Sequence, residues 1–369
     1  MTERTRPDPF SEIRLTTLHA TRGANFWLSR PVTRIDLTVG AYEDISSADV
    51  PGVRDSLVRA MPGLVEHRCS IGERGGFLVR LARGTYAPHI TEHVALELQT
   101  MAGHEVGYGR TRGGDVDGEY TLVFEHVHEA VGLRAAAFAL EVVQRAFAGT
   151  LDSVDHMVAE LRALAETPDT PDVRQDVLCA VSGGTGRALA RTLVAERRCC
   201  REDLVVDVSP SFVLMAGLPF SRAEIAVITD ADLTDVPERY KDEERARRLV
   251  SVVYDALPRR GIAIVPAAEW DLQDKARDED LRVAVFSGAD DITIKDKRNA
   301  RAAAWPVRDR IVAELRDELH DLGSLHPEHP VAPQVAAALA AFTLEELVPG
   351  ARPAPALREP EPREGARAS

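Results

Sequence analysis

The sequence has 369 residues, of which 44% are hydrophobic and 28% are charged, and its formal net charge is −14. Two domains of ordinary size fit that length, and the acidic balance argues against nucleic acid or an anionic membrane as the main partner. There is no long apolar run and no apolar segment behind the N-terminus, so we expect neither a membrane-spanning helix nor a secretory signal. The cysteine spacing fits neither a zinc knuckle nor a disulfide framework, and we expect a reduced, cytoplasmic protein.

The first part of the chain, residues 10–150, mixes strand and helix patterns. Two stretches alternate apolar and polar residues as half-buried strands do: 33–40 and 119–127. Three stretches have helical periodicity and are predicted as helices: 53–66, 88–102 and 129–148. This mixture indicates an α+β domain.

The second part of the chain has a more regular order of elements. Residues 151–175 are predicted to form a helix and a linker, because TPDTPD at 167–172 interrupts regular structure. From 176 to 348 strands and helices alternate, which indicates an α/β domain with a mostly parallel sheet. Its predicted strands are 176–181, 203–208, 224–229, 261–265 and 282–286, and its predicted helices are 186–196, 243–256, 305–322 and 331–347. The Pro-, Arg- and Glu-rich stretch 349–369 is predicted to be a disordered tail.

The segment PHITEHVALELQ at 88–99 carries the strongest chemical signal. On a helix, His89, Glu92 and His93 lie on one face, opposite an apolar stripe. Two histidines one turn apart can bind one zinc ion, and the glutamate can act as a base on water. The order H-x-x-E-H is that of the inverted zincins. We therefore predict His89 and His93 as zinc ligands and Glu92 as the catalytic base.

A zinc site of this kind needs a third protein ligand. Zinc peptidases of the inverted class take it from a glutamate on a downstream helix. Glu129, at the start of the helix predicted at 129–148, is preferred, and Glu125, at the end of the preceding strand, is the reserve. Short motifs also match by chance, and the alternative is that the two histidines line a groove that holds no metal.

Three further runs of sequence are informative together: RGANFW at 22–27, the stretch from PGLVEH to GRTR at 62–112, and YTLVFEHVHEAVGLRAA at 120–136. They resemble the N-terminal domain of cyanophycin synthetase, and the resemblance covers about residues 10–150. In that family the domain binds the growing Asp–Arg polymer, and in some members it carries a metallopeptidase-like site that cuts the polymer into primers. The resemblance supports the same site on the H-x-x-E-H helix and implies that Arg80, Arg110 and Arg112 contact acidic groups of a peptide. The alternative for these three is ordinary surface arginine.

Residues from 179 onward resemble the Mur-ligase-like domain of cyanophycin synthetase, and we find nothing here like the ATP-grasp domain that precedes it in the family. The family's phosphate loop corresponds to Gly183, Gly184, Gly186 and Arg187. Ala188 stands where a hydroxyl residue would bind magnesium. The resemblance therefore implies a degenerate nucleotide site and a pseudo-ligase domain, and we expect no ATP as a cofactor.

We therefore expect a zinc-dependent peptidase or isopeptidase that acts on cyanophycin-like or Asp-rich peptides and carries an inactive pseudo-ligase domain. The alternative is a non-catalytic accessory protein that binds peptide or polymer for a separate ATP-grasp ligase. A surviving amide ligase is a third interpretation, and it predicts ATP-dependent amide formation. Cyanophycin synthetases are oligomers, so the resemblance implies self-association.

Overall fold

The structure is a computed structural model that describes residues 6–169, 176–198, 204–234, 236–289, 292, 297 and 300–347. The predicted tail at 349–369, part of the predicted linker, Cys199 and Cys200 lie outside the described residues. The chain divides into two compact units: one comprises Met1–Arg174, Phe212–Pro219 and Val236–Arg245, and the other Gln175–Ser211, Phe220–Asp235 and Ala246–Ser369. No helix among the described residues is long and apolar enough to cross a membrane.

The first unit contains a four-stranded antiparallel sheet in the order β1-β2-β4-β3. Its strands are β1 (Arg14–Thr21), β2 (Val32–Thr38), β3 (Gly109–Gly113) and β4 (Glu119–Glu125). Since side chains alternate between the two faces of a strand, the buried, paired residues Ile35 and Leu122 share one apolar face. The other face is polar, because Asp36 pairs with Thr121 and Thr121 pairs with Arg112 across neighbouring strands.

Helices cover the apolar face of this sheet. The helices of the first part of the chain are α1 (Pro9–Glu12), α2 (Val53–Ala60), α3 (Gly76–Arg83), α4 (Ala87–Ala102), α5 (Glu129–Ala148) and α6 (Asp155–Ala165). Helix α4 packs against α5, α6 and β4, and nearly every residue from Ala87 to Gln99 is buried. A helix buried on all sides needs partners for its polar groups, because burying an unpaired charge costs several kcal/mol.

The second unit is an α/β fold with an eight-stranded sheet in the order β12-β11-β10-β9-β8-β7-β5-β6. Its strands are β5 (Asp176–Ser182), β6 (Val205–Val208), β7 (Arg222–Ile228), β8 (Ile262–Pro266), β9 (Arg282–Phe286), β10 (Ala302–Val307), β11 (Arg310–Leu315) and β12 (Glu318–Ser324). Strands β5 to β10 are parallel, and β10, β11 and β12 pair antiparallel. The remaining helices are α7 (Arg187–Arg198), α8 (Pro210–Ala216), α9 (Glu243–Ser251), α10 (Trp270–Asp278) and α11 (Val331–Leu347). The predicted fold class, α+β followed by a mostly parallel α/β unit, is confirmed.

The prediction of a helix at 305–322 is wrong, because this segment contains the end of strand β10, all of β11 and most of β12. Ile311 and Leu315 are spaced as on one face of a helix, but both are buried on β11, where Ala313 between them is buried too. That alternation is the pattern of a strand. Arg308 and Arg316, with φ of 57° and 55°, adopt the left-handed backbone that tight turns use and that interrupts a helix.

Candidate functional site

Helix α4 brings the three residues of the H-x-x-E-H motif into one cavity of the first unit. The helix begins at Ala87, with Pro88 in its first turn, where proline is well tolerated. His89, Glu92 and His93 line a cavity of about 830 Å³. Glu92 and His93 are only 5% and 6% exposed, whereas His89 is half-buried.

Three potential metal ligands meet in this cavity. Among the described residues, Cys69, His89 and His93 form a group whose ligand atoms all lie within 4.8 Å of one another. The Cys69 Sγ atom lies 3.3 Å from Nε2 of His89, and two ligands of a tetrahedral zinc ion are about 3.5 Å apart. One thiolate and two imidazoles suit zinc, and catalytic zinc sites use three protein ligands. These residues therefore fit a zinc ion.

Hydrogen bonds behind the two histidines orient their rings. Nδ1 of His89 lies 2.8 Å from the Thr85 hydroxyl, and Nδ1 of His93 lies 2.9 Å from Nδ1 of His67. Nε2 of His67 lies 3.0 Å from the Glu97 carboxylate. When Nε2–H of His67 donates to Glu97, Nδ1 of His67 accepts from Nδ1–H of His93. With Thr85 accepting from Nδ1–H of His89, both His89 and His93 keep a lone pair on Nε2. Such outer contacts fix the tautomer of a ligating histidine.

Burial also sets the charge of these rings. It lowers the pKa of His89 to about 4, and Arg80 adds to this effect. Burial, followed by the neighbouring His89 and His67, lowers the pKa of His93 to about 2. Both imidazoles are therefore neutral near pH 7, which is the form that binds a metal ion.

Glu92 is held in a tight space beside the two histidines. Burial raises the pKa of its carboxyl group to about 7, while a 2.5 Å hydrogen bond from the Thr111 hydroxyl to Oε2 opposes that rise. A Cβ atom on Gly109 would lie 2.6 Å from Oε1 of Glu92, so glycine there leaves room for the carboxyl group. A carboxyl group with a pKa near neutrality can both accept and donate a proton at physiological pH.

The two glutamates predicted as third ligands do not join this group, and that prediction is corrected. The Glu125 carboxylate pairs with Arg30 at 2.5 Å, and Glu129 pairs with Arg22 at 2.6 Å. Neither glutamate lines the cavity. Both carboxylates are engaged by arginines from the connection between β1 and β2, and the third residue of the group beside His89 and His93 is Cys69. The sequence signal for Cys69 was its place in EHRCS, 20 residues before His89 and inside the stretch that resembles cyanophycin synthetase.

The predicted substrate-binding arginines divide between two cavities. Arg80 and Arg110 line the cavity of the H-x-x-E-H motif. Arg112 lies instead in a neighbouring cavity, which shares Arg110 and Thr111 with the first. All of these residues belong to the first unit.

The predicted nucleotide loop lies between β5 and α7 in the second unit, where the unit's own side chains engage it. The Gly184 amide donates to Oδ1 of Asp230 at 2.6 Å. Arg187 pairs with Asp207 at 3.2 Å and donates to the Gly184 carbonyl at 2.7 Å. The Asp230 carboxylate therefore accepts the hydrogen bond of the Gly184 amide, which in a working phosphate loop would point at a phosphate.

Close packing explains the other two glycines of this loop. A Cβ atom on Gly183, whose φ is 130°, would lie 2.3 Å from the Thr229 hydroxyl oxygen. A Cβ atom on Gly186 would lie 2.8 Å from Cγ of Pro333. Glycine at these positions is thus required by the fold of the unit, whether or not a ligand binds there.

Comparison with known proteins agrees with the resemblance seen in the motifs. Residues 34–148 match the family model of the cyanophycin synthase-like N-terminal domain. Cyanophycin synthetase of Synechocystis sp. is 42% identical over 147 residues, covering 38% of this chain and 16% of that protein. Cyanophycin synthetase of Trichormus variabilis is 42% identical over 252 residues, covering 67% of this chain and 26% of that protein. The chain thus spans about a quarter or less of the length of these curated relatives.

The similarity continues into the second unit, since an alignment over 67% of the chain extends past Arg174. Among solved structures, a MurF ligase from Thermotoga maritima in complex with ADP has a TM-score of 0.35 and 12% identity, covering 47% of this chain and 46% of that chain. A UDP-N-acetylmuramoyl-L-alanyl-D-glutamate–2,6-diaminopimelate ligase also has a TM-score of 0.35, with 14% identity and coverage of 58% and 55%. Both scores are too low to bear on this chain's activity.

Proposed function

We propose that the first unit is a zinc-dependent amide hydrolase that cleaves peptides or isopeptides with acidic groups, cyanophycin-like polymers among them. The observation that supports this proposal most directly is the meeting of Cys69, His89 and His93 with Glu92 in one cavity. The relatives are named as cyanophycin synthetases, so a polymer of that kind is the first substrate to test.

Each side chain of the cavity has a distinct role in this proposal. Cys69, His89 and His93 would hold zinc, which when bound polarises an amide carbonyl and favours ionisation of water. Glu92 takes a proton from the attacking water and returns it to the departing amine, so water adds across the C–N bond and an acid and an amine leave. Thr111 holds Oε2 of Glu92 through its hydrogen bond and leaves Oε1 to carry the proton.

We further propose that the second unit is a pseudo-ligase domain that does not turn over ATP. An incoming phosphate would have to displace the Asp230 carboxylate from the Gly184 amide and compete for Arg187, which is paired with Asp207. Ala188 has no hydroxyl group with which to bind magnesium. The cytoplasmic location, self-association and a separate ATP-grasp ligase as partner stay predictions from the sequence.

The proposed hydrolase is tested by zinc content and peptide cleavage, measured on the same preparations of the full chain. We expect about one zinc ion per chain in the wild type and in Glu92→Gln, and loss of zinc in Cys69→Ala and His93→Ala. Cleavage of cyanophycin or of Asp-rich peptides, followed as released amine, should occur in the wild type alone. Zinc retained in Cys69→Ala would contradict the ligand set, and undiminished cleavage by Glu92→Gln would contradict the proton-transfer role.

A non-catalytic accessory protein that binds the polymer is the second candidate function. The arginines that line both cavities favour it, because they attract acidic groups whether or not a metal binds. This function predicts that wild type and Glu92→Gln bind the polymer equally, that neither cleaves it, and that no zinc is retained.

A further inference from the structure

A second cavity of the first unit, next to the cavity of the H-x-x-E-H motif, is lined by four arginines. It has a volume of about 520 Å³ and shares Arg110 and Thr111 with the larger cavity. We call its four arginines the arginine pocket: Arg110, Arg112, Arg239 and Arg245. The last two come from the segment Val236–Arg245, which belongs to the first unit although it lies far along the chain.

The arginine pocket has little negative charge of its own. Among the described residues, Arg245 alone of the four pairs with a carboxylate, that of Asp242 at 3.0 Å. Arg239 donates instead to the Thr121 hydroxyl oxygen at 3.1 Å, and that hydroxyl donates to Oδ1 of Asp36 at 2.6 Å. The relay through Thr121 positions the Arg239 guanidinium without placing a carboxylate directly against it.

Aromatic rings supply further positioning without neutralising the charge. The Arg112 guanidinium carbon lies 5.9 Å from the centroid of the Trp27 ring, and that of Arg239 lies 5.2 Å from the centroid of Tyr240. Rings attract cations through their faces but carry no net charge. Burial, and then the positive charges of Arg110 and Arg245, lower the pKa of Arg112. The four guanidinium groups therefore repel one another in a site where, among the described residues, a carboxylate pairs with Arg245 alone.

We propose that the arginine pocket is a binding site for an oxyanion group, either a carboxylate or a phosphate. Guanidinium forks bind both groups with paired hydrogen bonds, and such bonds are about twice as strong as neutral ones. The ligand supplies the negative charge that would otherwise be missing from the pocket. Because Arg110 and Thr111 line both cavities, an acidic group bound in the arginine pocket lies next to the cavity of the H-x-x-E-H motif. Binding needs neither zinc nor cleavage, so the inference stands apart from the proposed hydrolysis.

The test is isothermal titration of the full-length Glu92→Gln protein, which leaves peptides intact, with inorganic phosphate and with tetra-aspartate in separate experiments. We expect one of the two probes to bind with an affinity that falls as salt rises. Arg112→Gln and Arg239→Gln, introduced into this background, should each weaken that binding about tenfold or more, since each removes a charge-assisted hydrogen-bonding group. The matched control is Arg59→Gln, because Arg59 is an exposed arginine of α2 outside both cavities.

The outcomes separate the two sources of the oxyanion. Phosphate binding that depends on Arg112 and Arg239 assigns the pocket to a phosphate-bearing ligand, and tetra-aspartate binding with that dependence assigns it to a carboxylate-bearing one. Binding that is equal in Arg112→Gln, Arg239→Gln and Arg59→Gln, or no binding of either probe, overturns the inference. Arg112→Lys guards against misfolding, because it keeps the charge, loses the fork and should bind with intermediate affinity. Failure of the wild type to cleave peptides would reject the hydrolase and leave these titrations unaffected.

Discussion

At the scale of single residues, Gly109 leaves the space that the Glu92 carboxyl group occupies. In Gly109→Ala the new Cβ atom would meet Oε1, Cγ and Cδ of Glu92 at 2.6 to 2.9 Å, so the carboxyl group must move. A catalytic group displaced by about 1 Å can lose about a hundredfold in rate. We expect peptide cleavage to fall at least about tenfold while the zinc content is unchanged, because none of the three proposed zinc ligands is touched.

Gly107→Ala is the matched control for this experiment. Gly107 also lines the cavity, but a Cβ atom there would meet nothing within 4 Å. Cleavage by Gly107→Ala should therefore remain close to that of the wild type. Equal activity of the two alanine variants would show that the position of Glu92 does not govern the reaction.

His67 is expected to hold His93 in place for the metal without binding the metal itself. Its two ring nitrogens join the His93 ring to the Glu97 carboxylate, at 2.9 and 3.0 Å. Removing such an outer partner typically weakens metal binding by 10- to 100-fold, and we expect that range for His67→Ala in a competition titration with a zinc chelator. Glu66→Gln is the control, since Glu66 lines the same cavity but pairs with exposed Arg74. Equal zinc affinity in the two variants would rule out the orienting role.

His126 gives the first unit a stability that depends on pH. It is 5% exposed, Nδ1 lies 3.0 Å from the Thr33 hydroxyl, and burial lowers its pKa from 6.5 to about 4. Between pH 6.5 and about 4, His126 binds a proton in the unfolded chain but not in the folded chain. Its contribution to the free energy of unfolding is therefore complete above pH 6.5 and is lost as pH falls toward 4.

The expected effect is a loss of about 2 kcal/mol in the free energy of unfolding between about pH 7.5 and pH 5. His126→Gln removes the titrating group and should lack this part of the slope, whatever its stability at neutral pH. Urea unfolding of both proteins across that range provides the comparison. Parallel pH dependences in the two proteins would mean that His126 titrates normally in the folded state.

At the scale of secondary structure, the sequence predicted elements best where local pattern and burial agree. The helices predicted at 88–102 and 129–148 are Ala87–Ala102 and Glu129–Ala148 in the structure. The segment 305–322 was misread because its apolar residues fit a helical period, whereas its conformation is determined by strand pairing, of β10 with β9 at the edge of the parallel sheet and then of β11 with β10 and β12 with β11. Such pairing depends on residues elsewhere in the chain, which periodicity within one window does not report.

The candidate site was predictable to the same extent. His89 lies about one helical turn before Glu92 and His93 on a single helix, so the sequence alone predicts that the three side chains share one face. Cys69 reaches them from a short 3-10 helix, Cys69–Ile71, with a left-handed φ of 53°, and only the folded chain reveals that approach. The same holds for Arg239 and Arg245, which sequence distance separates from Arg110 and Arg112 although the four line one cavity.

The segment Val236–Arg245 is held on the first unit by an aromatic cluster. Tyr240 is 2% exposed, and its ring lies 5.3 Å from that of Phe26 and 6.0 Å from that of Trp27. Replacing a buried aromatic residue with alanine costs about 3 to 5 kcal/mol. We expect Tyr240→Ala to lower the free energy of unfolding of the first unit by about that amount and to abolish binding at the arginine pocket.

Tyr86→Ala is the control for this loss, because Tyr86 is 46% exposed. A change at such a surface position usually stays within about 0.5 kcal/mol. Urea unfolding of both variants, followed by circular dichroism, compares the two tyrosines. A cost for Tyr240→Ala no greater than that for Tyr86→Ala would show that the cluster does not anchor the segment.

At the scale of the whole molecule, the two units differ in which groups remain open to a ligand. The cavity of the first unit that contains the H-x-x-E-H motif holds three potential metal ligands whose ligand atoms lie within 4.8 Å of one another, beside the Glu92 carboxyl group of raised pKa. In the predicted phosphate loop of the second unit, the Gly184 amide instead donates to Asp230, and Arg187 pairs with Asp207. Ligand-induced stabilisation should therefore appear in one unit and not in the other.

Hydrogen exchange read by mass spectrometry separates these responses peptide by peptide. A ligand at 100 times its dissociation constant adds about 2.7 kcal/mol to the unit that binds it, which slows exchange through unfolding of that unit about 100-fold. We expect zinc to protect peptides of α4 and to leave residues 183–187 unchanged, and magnesium-ATP to protect neither. Cys69→Ala should abolish the response to zinc. Protection of 183–187 by magnesium-ATP would instead show that a nucleotide displaces Asp230, and the second unit would then have to be regarded as a nucleotide-binding domain.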